Sequence, residues 1–319
     1  MGDEGLRHSK SAPVLVCLIG PTGVGKTQLG LALAERWQCP IANADSRQIY
    51  REIPIGTAAP THEEQARAKH YFVGTHTLDD DYNAGQYERD CVALLTQLQT
   101  GAPAGKPFAI LTGGSMLYID AVCKGLDDIP SADSTLRKTL QEAYQQNGLA
   151  WLQEEVQKAD PAYWAEVDRQ NPQRLLHCLE VCRATGQPFS AFRRHQQAAE
   201  RPWKTLKIGL TRPRDVLYSR INRRVDMMME KGLLEEVKSV VTWRQKNSLN
   251  TVGYKELFRY LDGELSLDAA VDLIREDSRH YAKRQLTWWR RDTQIHWIEA
   301  EQTQEQTIQQ IENLLQNED

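Results

Sequence analysis

Apolar residues fall in two different rhythms along the first part of the chain. Val14-Leu-Val-Cys-Leu-Ile19 is apolar throughout, as a strand buried on both faces must be. After it, Leu29, Leu33 and Trp37 recur four apart, which predicts one buried face of a helix over 26–37. Pro40-Ile-Ala-Asn-Ala44, Phe108-Ala-Ile-Leu111 and Leu206-Lys-Ile-Gly-Leu210 predict three more short strands. Strands alternating with helices imply an α/β fold, a parallel sheet covered by helices on both faces.

The stretch 129–201 breaks this rhythm. It is rich in Gln, Glu and Ala, its apolar residues recur at helical spacing (Leu175, Leu179 and Cys182 are an example), and no strand pattern occurs in it. It predicts a helical insertion between the third and fourth strands, splitting a core of 1–128 and 202–319. The rest of the chain reads as helical over 215–231, 233–244, 254–261 and 267–291. Trp288 and Trp289 fit core packing, and Met227, Met228 and Met229 fit a packed helix stripe.

Composition adds limits. The chain has 319 residues, enough for one large or two modest domains at about 100–200 residues each. No apolar run is long enough to span a bilayer, and the first ten residues have no apolar region of a secretory signal. Gly2 does not start a myristoylation motif, because Leu6 stands where Ser or Thr is needed. Both features point to the cytoplasm. The six cysteines form no CxxC pair. Cys178 and Cys182 therefore read as small buried hydrophobes in a reducing compartment. Net charge is −4, yet 203–224 carries Lys204, Lys207, Arg212, Arg214, Arg220, Arg223 and Arg224 against Asp215 alone. Arg279, Lys283, Arg284, Arg290 and Arg291 form a second basic cluster. Such runs are commonly solvated helix faces; two beside a phosphate-binding loop suit a polyanionic partner.

That loop is Gly20-Pro21-Thr22-Gly23-Val24-Gly25-Lys26-Thr27, a full match to GxxxxGK[ST] between a buried strand and a helix. Its glycines let backbone N–H groups turn inward onto phosphate oxygens, and the helix N-terminus adds partial positive charge. Lys26 neutralises oxygens and Thr27 is placed to hold Mg²⁺. ATPases and kinases of this class hold Mg²⁺ with an acid at the end of another strand. Here the third strand runs into Thr112-Gly113-Gly114-Ser115, with no acid. The carboxylate at the ligand edge is Asp45, after the second strand. It suits an acceptor substrate, and it equally suits capping the segment 46–50.

The motifs taken together resemble the tRNA dimethylallyltransferases, also called isopentenyl-pyrophosphate:tRNA transferases. The likeness runs from the loop through Asp45-Ser46-Arg47-Gln48-Ile49-Tyr50 and Ile55-Gly56-Thr57-Ala58 to Gly113-Gly114-Ser115-Met116-Leu117-Tyr118. It continues through Asn171-Pro172-Gln173-Arg174 and Val252-Gly253-Tyr254-Lys255-Glu256, and ends at Tyr281-Ala-Lys-Arg-Gln-Leu-Thr-Trp288. The motifs keep the family's order over about 14–291. Ser115 stands where the family has Thr, and Asn83 where it has Ser or Thr; both keep the local chemistry. The zinc finger of some eukaryotic members is absent, so the resemblance is to the bacterial form.

The resemblance implies a P-loop NTPase-like fold and a monomer. It also implies transfer of a dimethylallyl group from its diphosphate to N6 of adenosine 37, beside the anticodon. Asp45 matches the family's general base. Thr22, Lys26, Thr27 and Arg224 match its diphosphate contacts. Ser46, Arg47, Gln48, Ser115, Arg137, Asn171, Pro172, Gln173, Arg174, Thr251, Val252, Gly253, Tyr254 and Lys255 match its contacts to the anticodon stem-loop. Tyr254 is thereby offered as a stacking surface for a base, or else as a half-buried aromatic at a helix start.

Three other readings fit parts of the pattern. An enzyme prenylating free adenine nucleotides shares the loop and base but needs no helical insertion. A small-molecule kinase needs an acid or lid arginines at the γ-phosphate, which Gly113-Gly114-Ser115 does not supply. A non-catalytic RNA-binding module leaves Asp45 beside an intact loop without a purpose.

Overall fold

The structure is a computed structural model that describes residues 12–101, 106–130, 133–193 and 199–317. The N-terminal segment read above for targeting signals lies outside the described residues. The chain divides into two compact units, 1–124 with 200–319, and 125–199.

In the first unit the chain runs β1 (Val14–Ile19), α1 (Lys26–Trp37), β2 (Ile41–Asn43), α2 (Pro54–Thr57), α3 (His62–Arg67), β3 (His70–Tyr71), α4 (Ala84–Thr100), β4 (Ala109–Thr112) and α5 (Met116–Lys124). The second unit holds α6 (Ser134–Ala159), α7 (Pro161–Glu166) and α8 (Pro172–Thr185). The first unit resumes with β5 (Lys204–Thr211), α9 (Arg214–Glu230), α10 (Leu233–Ser239), α11 (Tyr254–Leu261), α12 (Leu267–Trp289), β6 (Ile295–Glu299) and α13 (Gln304–Asn317).

All six strands are parallel, in the order β3-β2-β4-β1-β5-β6. This is the α/β architecture with a parallel sheet that the apolar runs implied, and the P-loop NTPase-like fold that the resemblance implied. β1 lies between β4 and β5, and its side chains alternate between two cores. Val16 and Leu18 join α1 and α13 on one face. Leu15, Cys17 and Ile19 join Tyr87 of α4, Tyr118 of α5 and Trp289 of α12 on the other. The two-residue period of a strand requires this alternation, and two covered faces explain why the run is apolar throughout. Each large aliphatic side chain removed from water contributes about 1.5–3 kcal/mol before chain entropy is counted.

A third core lies beyond the sheet's ligand edge. Ile49, Tyr50 and Ile53 pack there against Val225, Leu233, Val237, Tyr254 and Leu257. This core ties the segment after β2 to helices α9 to α11.

The expectations differ from the structure in places. β3 and β6 are additional strands. β6 pairs with β5 along Lys207–Thr211 and closes that side of the sheet; its pattern, Ile-His-Trp-Ile-Glu, has too few apolar positions to stand out. The helix expected over 233–244 ends at Ser239 and gives way to a 3-10 turn over Val241–Trp243. Met227 is 42% exposed, so only Met228 and Met229 pack against the core. Trp289 is buried as expected, whereas half-buried Trp288 donates its indole N–H to Asp120 at 2.8 Å.

The second unit has its own core, formed by Leu140, Leu152, Val156, Leu175, Leu179, Val181 and Phe189. α6 is interrupted at Gly148, whose φ of +77° lies where a side chain is strained. Cys178 and Cys182 are buried beside Asp160. The Asp160 carboxylate is already occupied, accepting from the N–H groups of Tyr163 and Ser190 and from the Ser190 hydroxyl. It caps α7 and pins the following turn, and the cysteines pack as hydrophobes.

Candidate functional site

The loop between β1 and α1 is shaped by its glycines. Gly20, Gly23 and Gly25 have φ of +142°, +79° and +118°. A Cβ on Gly20 would lie 2.7 Å from the Leu210 carbonyl of β5, so no other residue fits against that strand. Outside the loop, Arg220 Nε donates to the Gly23 carbonyl and Arg212 Nε to the Val24 carbonyl, both at 2.8 Å. These two carbonyls thus face outward onto arginines; of the loop's N–H groups, that of Thr22 is taken by Gln285 and that of Val24 by the Pro21 carbonyl.

Lys26 reaches back across the loop. Its Nζ donates to the carbonyls of Gly20 at 2.8 Å and Pro21 at 3.0 Å. Burial pushes its pKa down to about 7, the Arg224 guanidinium pushes the same way, and Asp45 opposes both. Arg224 donates to the Thr57 carbonyl at 3.5 Å, and its own pKa is lowered by burial against the pull of Asp45. Two cations thus lie close to each other with the Asp45 carboxylate near them. A polyanion bound there relieves their repulsion.

Asp45 follows β2. Its Oδ1 accepts from the backbone N–H groups of Arg47 at 2.9 Å and Gln48 at 3.3 Å. The capping role expected of Asp45 thus falls to Oδ1 alone, and Oδ2 takes no part in it. Oδ2 lies against Gly114, where an added Cβ would approach it to 2.6 Å. Gly113 is tighter still, since a Cβ there would meet the Ala44 backbone at 2.2 Å. Both glycines after β4 are thus required by close approach. Ser115 Oγ accepts from the Ser46 N–H at 2.8 Å and pairs with the Ser46 hydroxyl at 2.9 Å. Gln48 Nε2 donates to the carbonyls of Thr57 and Ala58. Asp45, Ser46, Arg47, Gln48 and Ser115 form one hydrogen-bonded cluster, whereas Arg137, expected beside Ser115, lies in the second unit.

Lys26 and Arg224 both lie close enough to Asp45 to feel its charge, and Thr22 is held at the loop by its N–H to Gln285. Thr27 is exposed at the first turn of α1. Among the described residues, the one group of three metal-ligating side chains within reach of one another is the buried set Asp160, Cys178 and Cys182, which belongs to the second unit.

The segment 251–255 differs from the expectation. Tyr254 is fully buried, and its hydroxyl donates to Glu236, so its ring has no face for a base. Its position between a third hydrophobic core and a buried carboxylate overrides what the motif suggested. Gly253 is buried with φ +98°, and Thr251 and Val252 are half-buried. Lys255 is exposed and donates to Asp277 at 2.8 Å. In the second unit, Asn171 caps α8 by accepting from Arg174 N–H at 3.2 Å, with Pro172 in the first turn and Gln173 and Arg174 exposed. Arg137 pairs with Glu180 at 3.3 Å.

Two contributors escaped sequence reasoning. Glu236 accepts from the N–H groups of Ile55 and Gly56 and from Tyr254. Gln285 bridges Thr22 N–H and the Gly114 carbonyl, each at 2.8 Å. The signal for the latter was present: Tyr281 and Gln285 are four apart in one motif, on one face of a helix.

Such a fold and loop define a P-loop α/β protein with a carboxylate, Asp45, in electrostatic reach of the loop lysine. The chain belongs to the IPP transferase family, whose description matches residues 48–292. It is 53% identical to tRNA dimethylallyltransferase 1 of Bacteroides thetaiotaomicron over 293 residues, covering 92% of this chain and 94% of that protein. Identity to tRNA dimethylallyltransferase 2 of Parabacteroides distasonis is 51% over 290 residues, covering 91% of this chain and 95% of that one. Among solved structures, the tRNA isopentenylpyrophosphate transferase of Bacillus halodurans matches at 34% identity with a TM-score of 0.68, over 95% of this chain and 96% of that chain. A eukaryotic dimethylallyltransferase described as acting on tRNA shares the fold, with a TM-score of 0.79 at 22% identity, over 96% of this chain and 80% of that chain.

Proposed function

We propose that this enzyme transfers a dimethylallyl group from dimethylallyl diphosphate to N6 of adenosine 37, next to the anticodon of tRNA. The observation that carries the reading is the placement of Asp45. Its carboxylate interacts electrostatically with both Lys26 and Arg224 from the end of β2, whereas β4 runs into Gly113-Gly114-Ser115 without the acid that a kinase-like site would use. Family membership and relatives named for this activity support the same reaction.

In the reaction, the bond between the dimethylallyl carbon and the bridging oxygen breaks, and a bond from that carbon to N6 forms. Diphosphate leaves, and the N6 proton passes to Asp45. An exocyclic amine is a weak nucleophile, so a base within hydrogen-bond reach accelerates its attack. Lys26, Arg224 and the loop N–H groups stabilise charge that grows on the departing diphosphate. The target base must leave the anticodon-loop stack to reach Asp45. The cluster of Ser46, Arg47, Gln48 and Ser115 surrounds the place where it would enter.

Mg²⁺ fits this site as a companion of the substrate. Thr27 offers one exposed hydroxyl beside the cradle, and Mg²⁺ commonly takes one or two protein ligands with the remainder from phosphate oxygens and water. The ion supplies charge neutralisation to the leaving diphosphate. For RNA, the second unit contributes Arg137 and 171–174, and the segment 251–255 contributes exposed Lys255. A tRNA substrate supports a cytoplasmic location as part of this reading; no described helix is long and apolar enough to cross a membrane.

The test is mass analysis of an anticodon stem-loop RNA incubated with enzyme, Mg²⁺ and dimethylallyl diphosphate, without ATP. One dimethylallyl group on the adenine is the expected result. An obligatory requirement for ATP hydrolysis would overturn the reading.

A further inference from the structure

We propose that Gln285 is a positioning residue that sets the spacing between the diphosphate cradle and Asp45, a role that rests on reading Asp45 as the acceptor-side base. Gln285 is wholly buried, on the inner face of α12. Its Oε1 accepts from Thr22 N–H, and its Nε2 donates to the Gly114 carbonyl. One amide therefore ties the turn after β1 to the turn after β4. Thr22 is part of the cradle. Gly114 packs directly on Asp45 Oδ2, close enough that no Cβ fits between them. The Gly114 carbonyl receives a second donor from the same helix face, the Tyr281 hydroxyl at 2.7 Å.

The orientation of this amide is chosen by its neighbours. A backbone N–H on one side and a carbonyl on the other accept only one arrangement of O and N. Nothing else in the contact set demands an amide in this position. A purely apolar side chain would pack as well but leave Thr22 N–H buried without this partner. Chemistry between two bound substrates is sensitive to their separation, and a displacement of about 1 Å can cost ~100-fold in rate. Gln285 links two elements that hold opposite reactants, so its loss should disturb their separation more than the binding of either one.

The experiment uses the full-length enzyme with Mg²⁺, dimethylallyl diphosphate and an anticodon stem-loop RNA. Gln285→Met removes both hydrogen bonds at similar length. The expected results are a single-turnover transfer rate lowered roughly 10- to 100-fold and an affinity for inorganic diphosphate within about threefold of the parent. Misplacement should also divert donor to water, giving dimethylallyl alcohol, diphosphate and a proton, so the ratio of transfer to hydrolysis should fall. Gln285→Glu supplies a second arm that does not depend on how Gln285→Met folds. Its carboxylate keeps the acceptor for Thr22 but repels the Gly114 carbonyl. Protonation restores the donor. The rate of Gln285→Glu divided by that of the parent should therefore rise as pH is lowered.

Unchanged rate and partition ratio in folded Gln285→Met overturn the proposal. So does a fall in diphosphate affinity as large as the fall in rate, or a flat ratio for Gln285→Glu across pH. Asp45→Asn, measured alongside, separates the two ideas. Parental activity there removes Asp45 as the base, whereas failure of the Gln285 arms with an inactive Asp45→Asn removes only the positioning role.

Discussion

The hydroxyl of Tyr254 donates to Oε1 of Glu236 at 2.5 Å, and the same carboxylate accepts the N–H groups of Ile55 at 2.7 Å and Gly56 at 2.8 Å. Gly56 leaves no room for a side chain because a Cβ there would meet the Tyr254 ring at 2.5–2.6 Å. The turn of α2 held this way presents the Thr57 carbonyl to Arg224 and Gln48. The segment 251–255 is thus connected to the arginine beside the cradle through buried hydrogen bonds.

Tyr254→Phe should therefore lower stability rather than RNA affinity. It leaves the buried carboxylate one donor short, at a cost of about 1–3 kcal/mol. Urea unfolding would measure this, and stem-loop affinity should stay within about twofold. A stacking role predicts unchanged stability, since Phe keeps the ring, and a loss of binding in Tyr254→Leu worth about 1–3 kcal/mol.

Asp45→Asn should leave the fold intact and slow the chemistry. The Asn carbonyl oxygen still accepts from Arg47 and Gln48 N–H, so the turn after β2 is kept. Without a base, kcat should fall about 10²- to 10⁴-fold with little change in stem-loop affinity. Single-turnover transfer at saturating substrates is the measurement, and near-parental rates would remove Asp45 from the mechanism.

The two glycines after β4 should respond differently to one methyl group. In Gly114→Ala the new Cβ meets the end of the Asp45 side chain, which can rotate, so activity should fall while the protein still folds. In Gly113→Ala the Cβ meets the Ala44 backbone at 2.2 Å, which cannot move without opening the pairing of β2 with β4. Its melting temperature should drop well below that of Gly114→Ala. Equal melting temperatures would contradict this geometry.

Lys26 makes diphosphate binding depend on pH. Its pKa in the free site is lowered to about 7, first by burial and then by Arg224. Bound diphosphate favours the charged form and raises that pKa. Binding is therefore fully supported below about pH 7, and above it each bound diphosphate must bring a proton to Lys26. The dissociation constant should rise by up to about tenfold per pH unit between the free and bound pKa values. Lys26→Arg keeps its charge throughout this range. Titration calorimetry with inorganic diphosphate from pH 6 to 9 should show the extra slope in the parent and not in Lys26→Arg; parallel slopes would exclude Lys26 as its source.

The elements legible in the sequence are those whose physics is contiguous. A strand, a glycine turn and a helix N-terminus follow one another over 14–37, so the cradle is written locally and its function can be read without the fold. The fully apolar run at β1 likewise announces a strand covered on both faces. β3, at two residues, and β6, with only alternate apolar positions, carry too little pattern to be found that way. Sequence alone also placed Asp45 at the ligand edge but left its capping and acceptor roles as alternatives; the structure shows the capping contacts of Oδ1 and leaves Oδ2 outside them. Tyr254 and Gln285 needed tertiary structure entirely. Tyr254 looks like a stacking residue in its motif, and only packing of α11 against α10 and α2 buries it. Gln285 meets Thr22 across 263 positions of chain. Hydrogen bonds between distant segments depend on where the folded elements bring their polar groups, which no local pattern encodes.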